Sequence, residues 1–151
     1  MERVNLSGVR SVSKMMDAKQ KTLTLLISGL TDRAVAHRLG LSERTVQRHV
    51  RALMEGADCR NRMQLGRHAA LTGLPELGAD PDPEPEPTGT RPDGETRRLL
   101  ELMLTDTHWA TLRSLHLSTR SIERRIRDLM TLAGARSRVQ LGWRVTRWEW
   151  L

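Results

Sequence analysis

The sequence predicts an all-α protein: two small four-helix domains joined by an acidic, Pro-rich linker. Three observations carry that prediction. A stretch of 26 residues recurs without a gap, apolar residues in each copy fall at helical spacing, and the segment between the copies suits neither helix nor sheet.

The repeat is found by sliding the second half back by 76 positions. Residues 41–66, LSERTVQRHVRALMEGADCRNRMQLG, then overlie residues 117–142, LSTRSIERRIRDLMTLAGARSRVQLG. Thirteen positions are identical: Leu41, Ser42, Arg44, Arg48, Arg51, Leu53, Met54, Ala57, Arg60, Arg62, Gln64, Leu65 and Gly66 with their partners. Val46/Ile122, Val50/Ile126 and Thr45/Ser121 are conservative pairs. Upstream, Leu23/Leu99, Leu26/Leu102, Thr31/Thr107, Ala34/Ala110 and Leu39/Leu115 continue the register. The expected organisation is an extension over 1–14, a first domain over 15–70, a linker over 71–93 and a second, divergent domain over 94–151.

Each copy reads as four helices. Around 15–28, Met15, Leu23, Leu26 and Ile27 share one helical face before Gly29 stops the run. A short helix is expected near 32–39, with Ala36 and Leu39 inward and Gly40 supplying a positive-φ turn. Ser42 stands where an N-cap belongs, ahead of a helix over 43–55. Its inner face is Val46, Val50, Leu53 and Met54; its outer face is Arg44, Arg48, Arg51 and Glu55, with Gln47 beside them. A last helix near 61–70 carries Met63, Leu65, Ala69 and Ala70. The second copy places the equivalent of 43–55 at 119–131.

The linker, including GADPDPEPEPTGTRPDG, is rich in Pro, Gly and acid and reads as extended. Residues 71–94 carry one basic and six acidic side chains, against twelve and five in residues 10–70 and eleven and six in residues 95–151. The two basic lobes are therefore expected to engage a partner independently.

Composition narrows the function. Of 151 residues none is Phe or Tyr and four are Trp, which favours small cores centred on Leu, Val and Met. The net charge of +7 and a pI of about 11.1 point to a polyanionic partner, nucleic acid ahead of an anionic membrane. Because 22 of the 25 basic residues are Arg, high-GC codon usage is the competing explanation for the charge. Cys59, the one cysteine, excludes a disulfide framework and reads as a small buried residue. His37, His49, His68, His108 and His116 lie at no metal-ligand spacing, and no P-loop, nucleophile elbow or dinucleotide fingerprint occurs. An enzyme, a cofactor and a metal are not expected. With no signal peptide and no apolar stretch of the ~20 residues that span a bilayer, a cytoplasmic, nucleoid-associated protein without a membrane partner is expected.

A short helix, a tight turn and a second helix with an apolar inner stripe and an Arg/Gln outer stripe make a DNA-reading helix-turn-helix. Arg donates two bonds to guanine O6 and N7, Gln pairs with adenine N6 and N7, and Ser, Thr and free N–H groups at a helix start suit phosphate. GLTDRAVAHRLGLSERTVQRHVRALM followed by CRNRMQLG resembles the LuxR/GerE-type helix-turn-helix domain of bacterial transcription regulators, and the likeness extends over about 15–70 and 93–147. The resemblance implies that the third helix enters the major groove and the fourth dimerises. It implies phosphate contact for Ser42 and Thr45 and a groove-facing role for Gln47, Arg48 and Arg51 with Arg44 beside them, while Val46 packs. In the second copy the same roles fall on Ser118, Arg120, Ser121, Glu123, Arg124 and Arg127.

Departures from the family pattern concentrate in the second copy. DTHWATLRSLH replaces GLTDRAVAHRLG there, losing both glycines, placing His116 at the turn and gaining Trp109, while Glu123 puts an acid on the reading face. The first helix, DAKQKTL, lacks the family's Glu-rich start. The implied partners are double-stranded DNA, a second copy of the chain through helices near 61–70 and 137–147, and RNA polymerase or another regulator. The competing functions are a protein-interaction adaptor, with one or both repeats docking on a larger regulator, and a non-specific nucleoid-type DNA binder. In the tail GWRVTRWEWL, Leu141, Val145 and Trp148 share a helical face suited to closing the second core; Trp143 and Trp150 suit core cover or self-association.

Overall fold

Helices begin where the sequence supplies an acceptor for the unpaired N–H groups of a first turn. Thr31 accepts from Ala34 N–H, Ser42 from Thr45, Asn61 from Gln64, Asp93 from Thr96, Ser118 from Ser121 and Ser137 from Gln140. The computed structural model describes residues 18–73, 91–105 and 108–151, and its regular structure there is entirely helical. The helices are α1 (18–27), α2 (Asp32–Leu39), α3 (Glu43–Gly56), α4 (Arg62–Leu71), α5 (Gly94–Thr105), α6 (His108–Leu115), α7 (Thr119–Leu132) and α8 (Arg138–Arg147). The 1–14 extension, Met15, and linker residues 74–90 lie outside the described residues, as does the Trp109 side chain.

The backbone of α5–α8 follows that of α1–α4 at the same 76-residue offset. The helices α2 and α6 both have 8 residues, α3 and α7 have 14, and α4 and α8 have 10. Left-handed residues recur in the same register: Gly40 with His116, Asp58 with Gly134, and Gly73 with Glu149. His116, at φ +52°, takes the conformation of Gly40, at φ +66°, so the turn survives loss of its glycine at a steric cost.

Each set of helices closes its own core. Leu23, Leu26 and Ile27 from α1, Val35 and Ala36 from α2, and Val46 and Val50 from α3 form the first, with Leu53, Met54 and Cys59 half-buried at its margin. Leu99, Leu100, Met103 and Leu104 from α5, with Ile122, Ile126 and Leu129 from α7, form the second. Leu141 and Val145 of α8 close the second core as expected, and Trp148 packs at its edge.

The two halves are not independent lobes. The helices α4 and α8 lie directly against each other, and both send side chains across. Met63 of α4 is buried in the second core, whereas Val139 and Trp143 of α8 are buried in the first. The faces expected to join two chains are thus used between two halves of one chain. Trp143 and Trp150 separate accordingly: the former enters the first core and the latter the second.

Glycine makes this approach feasible. A Cβ on Gly66 would fall well under 3.0 Å from the Val139 carbonyl, and one on Gly142 would meet the backbone of Met63 as closely. Glycine inside a helix costs about 1 kcal/mol relative to alanine. Here that cost is offset by contact between two helix backbones.

Candidate nucleic-acid interface

The stripe on α3 exists because the opposite face is committed to the core. Val46 and Val50 are buried against α1 and α2, which leaves Arg44, Gln47, Arg48 and Arg51 exposed. Spacings of 4 and 7 residues place Arg44, Arg48 and Arg51 along one side of the helix. The approach to α3 is fixed by Gly40 in the left-handed region and by Ser42, whose Oγ lies 3.1 Å from Thr45 N and 2.9 Å from Thr45 Oγ1. Two hydroxyls and the positive end of a helix dipole therefore sit together at the start of the basic stripe.

The same arrangement recurs on α7. Ile122, Ile126 and Leu129 are buried, while Arg120, Arg124 and Arg127 are exposed. Ser118 caps the helix, with its Oγ 3.2 Å from Ser121 N and 3.0 Å from Ser121 Oγ. Glu123 stands where α3 has exposed Gln47, and it is half-buried in an ion pair with Arg138 of α8. Its charge is balanced locally. The matching arginine of α4, Arg62, forms a two-bond pair of 2.6 and 2.7 Å with Asp32 at the start of α2. Both pairs tie a helix-turn-helix element to the central α4/α8 contact.

His49 is a packing residue on α3 rather than part of the exposed stripe. It is buried, with Nδ1 3.3 Å from Thr22 Oγ1 of α1. Burial, then the positive charges of Lys19 and Arg48, hold its pKa below the ordinary value of 6.5. Burial, reinforced by Asp58, raises the Cys59 thiol pKa, and its Sγ lies 3.6 Å from Ala57 O. Among the described residues, no group of three or more His, Cys, Asp or Glu side chains is placed to hold a metal ion. No described helix is long and apolar enough to cross a membrane.

Sequence reasoning placed the twelve candidate contact residues on two helix starts and two exposed stripes, but it missed what joins the stripes. That junction includes Asn61, Met63 and Gly66 of the first half and Ser137, Val139, Gly142 and Trp143 of the second. A signal was present: Gly66 and Gly142 are identical in the repeat and sit mid-helix, where glycine is unfavourable unless another backbone comes close.

Residues 19–69, spanning α1 to α4, match the family described as GerE, bacterial regulatory proteins of the luxR family. No curated protein and no solved structure matches the chain.

Proposed function

Residues 19–69 are one LuxR-family helix-turn-helix domain, and from that premise we propose that the chain is a sequence-specific regulator of transcription that binds double-stranded DNA. The observation carrying this reading is the exposed Arg44–Gln47–Arg48–Arg51 stripe behind the capped turn into α3. The helix α3 lies in the major groove, with Ser42 and Thr45 on phosphate and Gln47, Arg48 and Arg51 toward base edges. The second half is a divergent helix-turn-helix of the same type. It contributes α7, with Ser118 and Ser121 on phosphate and Arg120, Arg124 and Arg127 along the groove. The repeat in sequence, the equal helix lengths and the shared left-handed turns support that assignment. Pairing with Arg138 leaves Glu123 less able to repel phosphate.

Gel shifts on fragments selected from random DNA, run across a salt series with competitor DNA, test this reading. Specific binding persists against competitor and weakens steeply with added salt. Arg48→Ala weakens it by about 1–3 kcal/mol and relaxes base preference at the position read. Absence of binding at about 50–100 mM salt, where phosphate contacts are strong, refutes the proposal. Equal affinity for all sequences indicates a nucleoid-type binder instead. Unchanged affinity and preference in Arg124→Ala assigns the second half to docking.

A further inference from the structure

Several contacts between the two halves come in reciprocal pairs, the acceptors Leu26 and Met103 standing one residue out of the repeat register. Asn61, which caps α4, donates to Met103 O near the end of α5 at 2.7 Å. Ser137, which caps α8, donates to Leu26 O near the end of α1 at 2.7 Å. Gly66 of α4 lies against the Val139 backbone, and Gly142 of α8 lies against that of Met63. Met63 fills the second core, and Val139 fills the first. Residues 61, 63 and 66 precede 137, 139 and 142 by the repeat offset. A patch that meets its own equivalent in this way is the mark of a two-fold contact, ordinarily made between two identical subunits. Here both patches belong to one chain.

We infer that a single chain presents α3 and α7 as a fixed, two-fold-related pair, and that its DNA target is two half-sites in inverted orientation at one spacing. The inference rests on the DNA-binding reading above. The relation that takes α4 to α8 also takes α3 to α7, because each of the latter is locked into its own core through Val46 and Val50 or through Ile122 and Ile126. A two-fold pair matches an inverted repeat, as palindromic operators mirror the symmetry of the dimers that bind them. It cannot match a direct repeat, whose half-sites are related by translation. The half-sites differ in sequence, because exposed Gln47 faces one and ion-paired Glu123 the other. The target is therefore an imperfect palindrome read by one chain. Its spacing is set by the α4/α8 contact and not by the length of the connection between the halves.

The test uses the full chain and a variant with ten Gly/Ser residues inserted between residues 80 and 81. Both are titrated onto duplexes carrying one selected half-site, inverted repeats stepped by single base pairs, and direct repeats stepped in the same way. Stoichiometry is read by analytical ultracentrifugation. The expected result is one chain per duplex and a sharp optimum among inverted repeats, at least about tenfold tighter than the single half-site. Direct repeats bind no better than the single half-site, and the insertion moves neither optimum nor affinity. Direct repeats binding as tightly as inverted ones, two chains per duplex, or an optimum that broadens or shifts with the insertion would overturn the inference and leave the DNA-binding reading standing. No binding to any duplex removes that reading and the inference with it.

Discussion

Replacing Gly142 by alanine adds one methyl group at the point where α8 crosses α4, and two opposed effects determine the outcome. Helix propensity alone favours alanine by about 1 kcal/mol. The new Cβ, however, would lie well under 3.0 Å from the carbonyl oxygen of Met63, with the carbonyl carbon and Cα at 2.8 and 2.9 Å. These are backbone atoms of a neighbouring helix, so no rotamer change relieves the clash. The two helices must separate by roughly 1.5 Å to restore ordinary van der Waals distances. Such overpacking costs about 1–3 kcal/mol where side chains can adjust. Separation also draws Met63 and Val139 partly out of the cores they enter, each burial being worth about 1.5–3 kcal/mol when complete. The net expectation is a loss of about 2–4 kcal/mol. Gly56→Ala is the control: it changes the last residue of α3, where an added Cβ meets nothing within 4 Å, and should be neutral or stabilising by up to about 1 kcal/mol. Urea unfolding followed by far-UV circular dichroism and by tryptophan fluorescence, to which the buried Trp143 and Trp150 both contribute, reads both variants. A Gly142→Ala midpoint equal to or above that of the parent chain refutes the reasoning.

His116→Gly removes the steric cost of the left-handed turn, at φ +52°, but frees the unfolded chain; the expected net gain of roughly 0.5–1 kcal/mol is measurable as a raised urea midpoint. The depressed pKa of His49 means that the unfolded state takes up its proton first as pH falls below 6.5, so its contribution is whole above that value and is lost with acidification. Stability measured from pH 7.5 to 5.0 should therefore decline, and His49→Gln should flatten the slope; an identical slope in the variant speaks against this origin. Glu123→Gln breaks the pair with Arg138 and gives α7 the residue that α3 carries at Gln47. Because that pair is substantially exposed, stability should change by less than about 1 kcal/mol, while affinity for the selected DNA rises in gel shifts.

Sequence alone determined the local features. Helical spacing, the caps at Thr31, Ser42, Asn61, Ser118 and Ser137, and the turn at Gly40 depend on residues within a few positions of one another. The bounds of α2, α3, α4, α7 and α8 accordingly lie within a residue or two of the expected ranges, whereas the expected start of α1 lies outside the described residues. The exposed stripes on α3 and α7 were equally legible, since the apolar residues opposite them fix which side faces water. Tertiary structure alone decided how the halves relate. The charge and composition of the linker suggested independent lobes, but linker sequence carries no term for the contact it permits. That contact depends on Met63, Val139 and Trp143 each entering the other half's core, and on two mid-helix glycines that let backbones touch. It also decided that Glu123 is ion-paired, because Arg138 reaches it only once α8 has packed beside α7. Spacing along a chain specifies the face of a helix; which face meets which depends on shape complementarity between residues far apart in sequence.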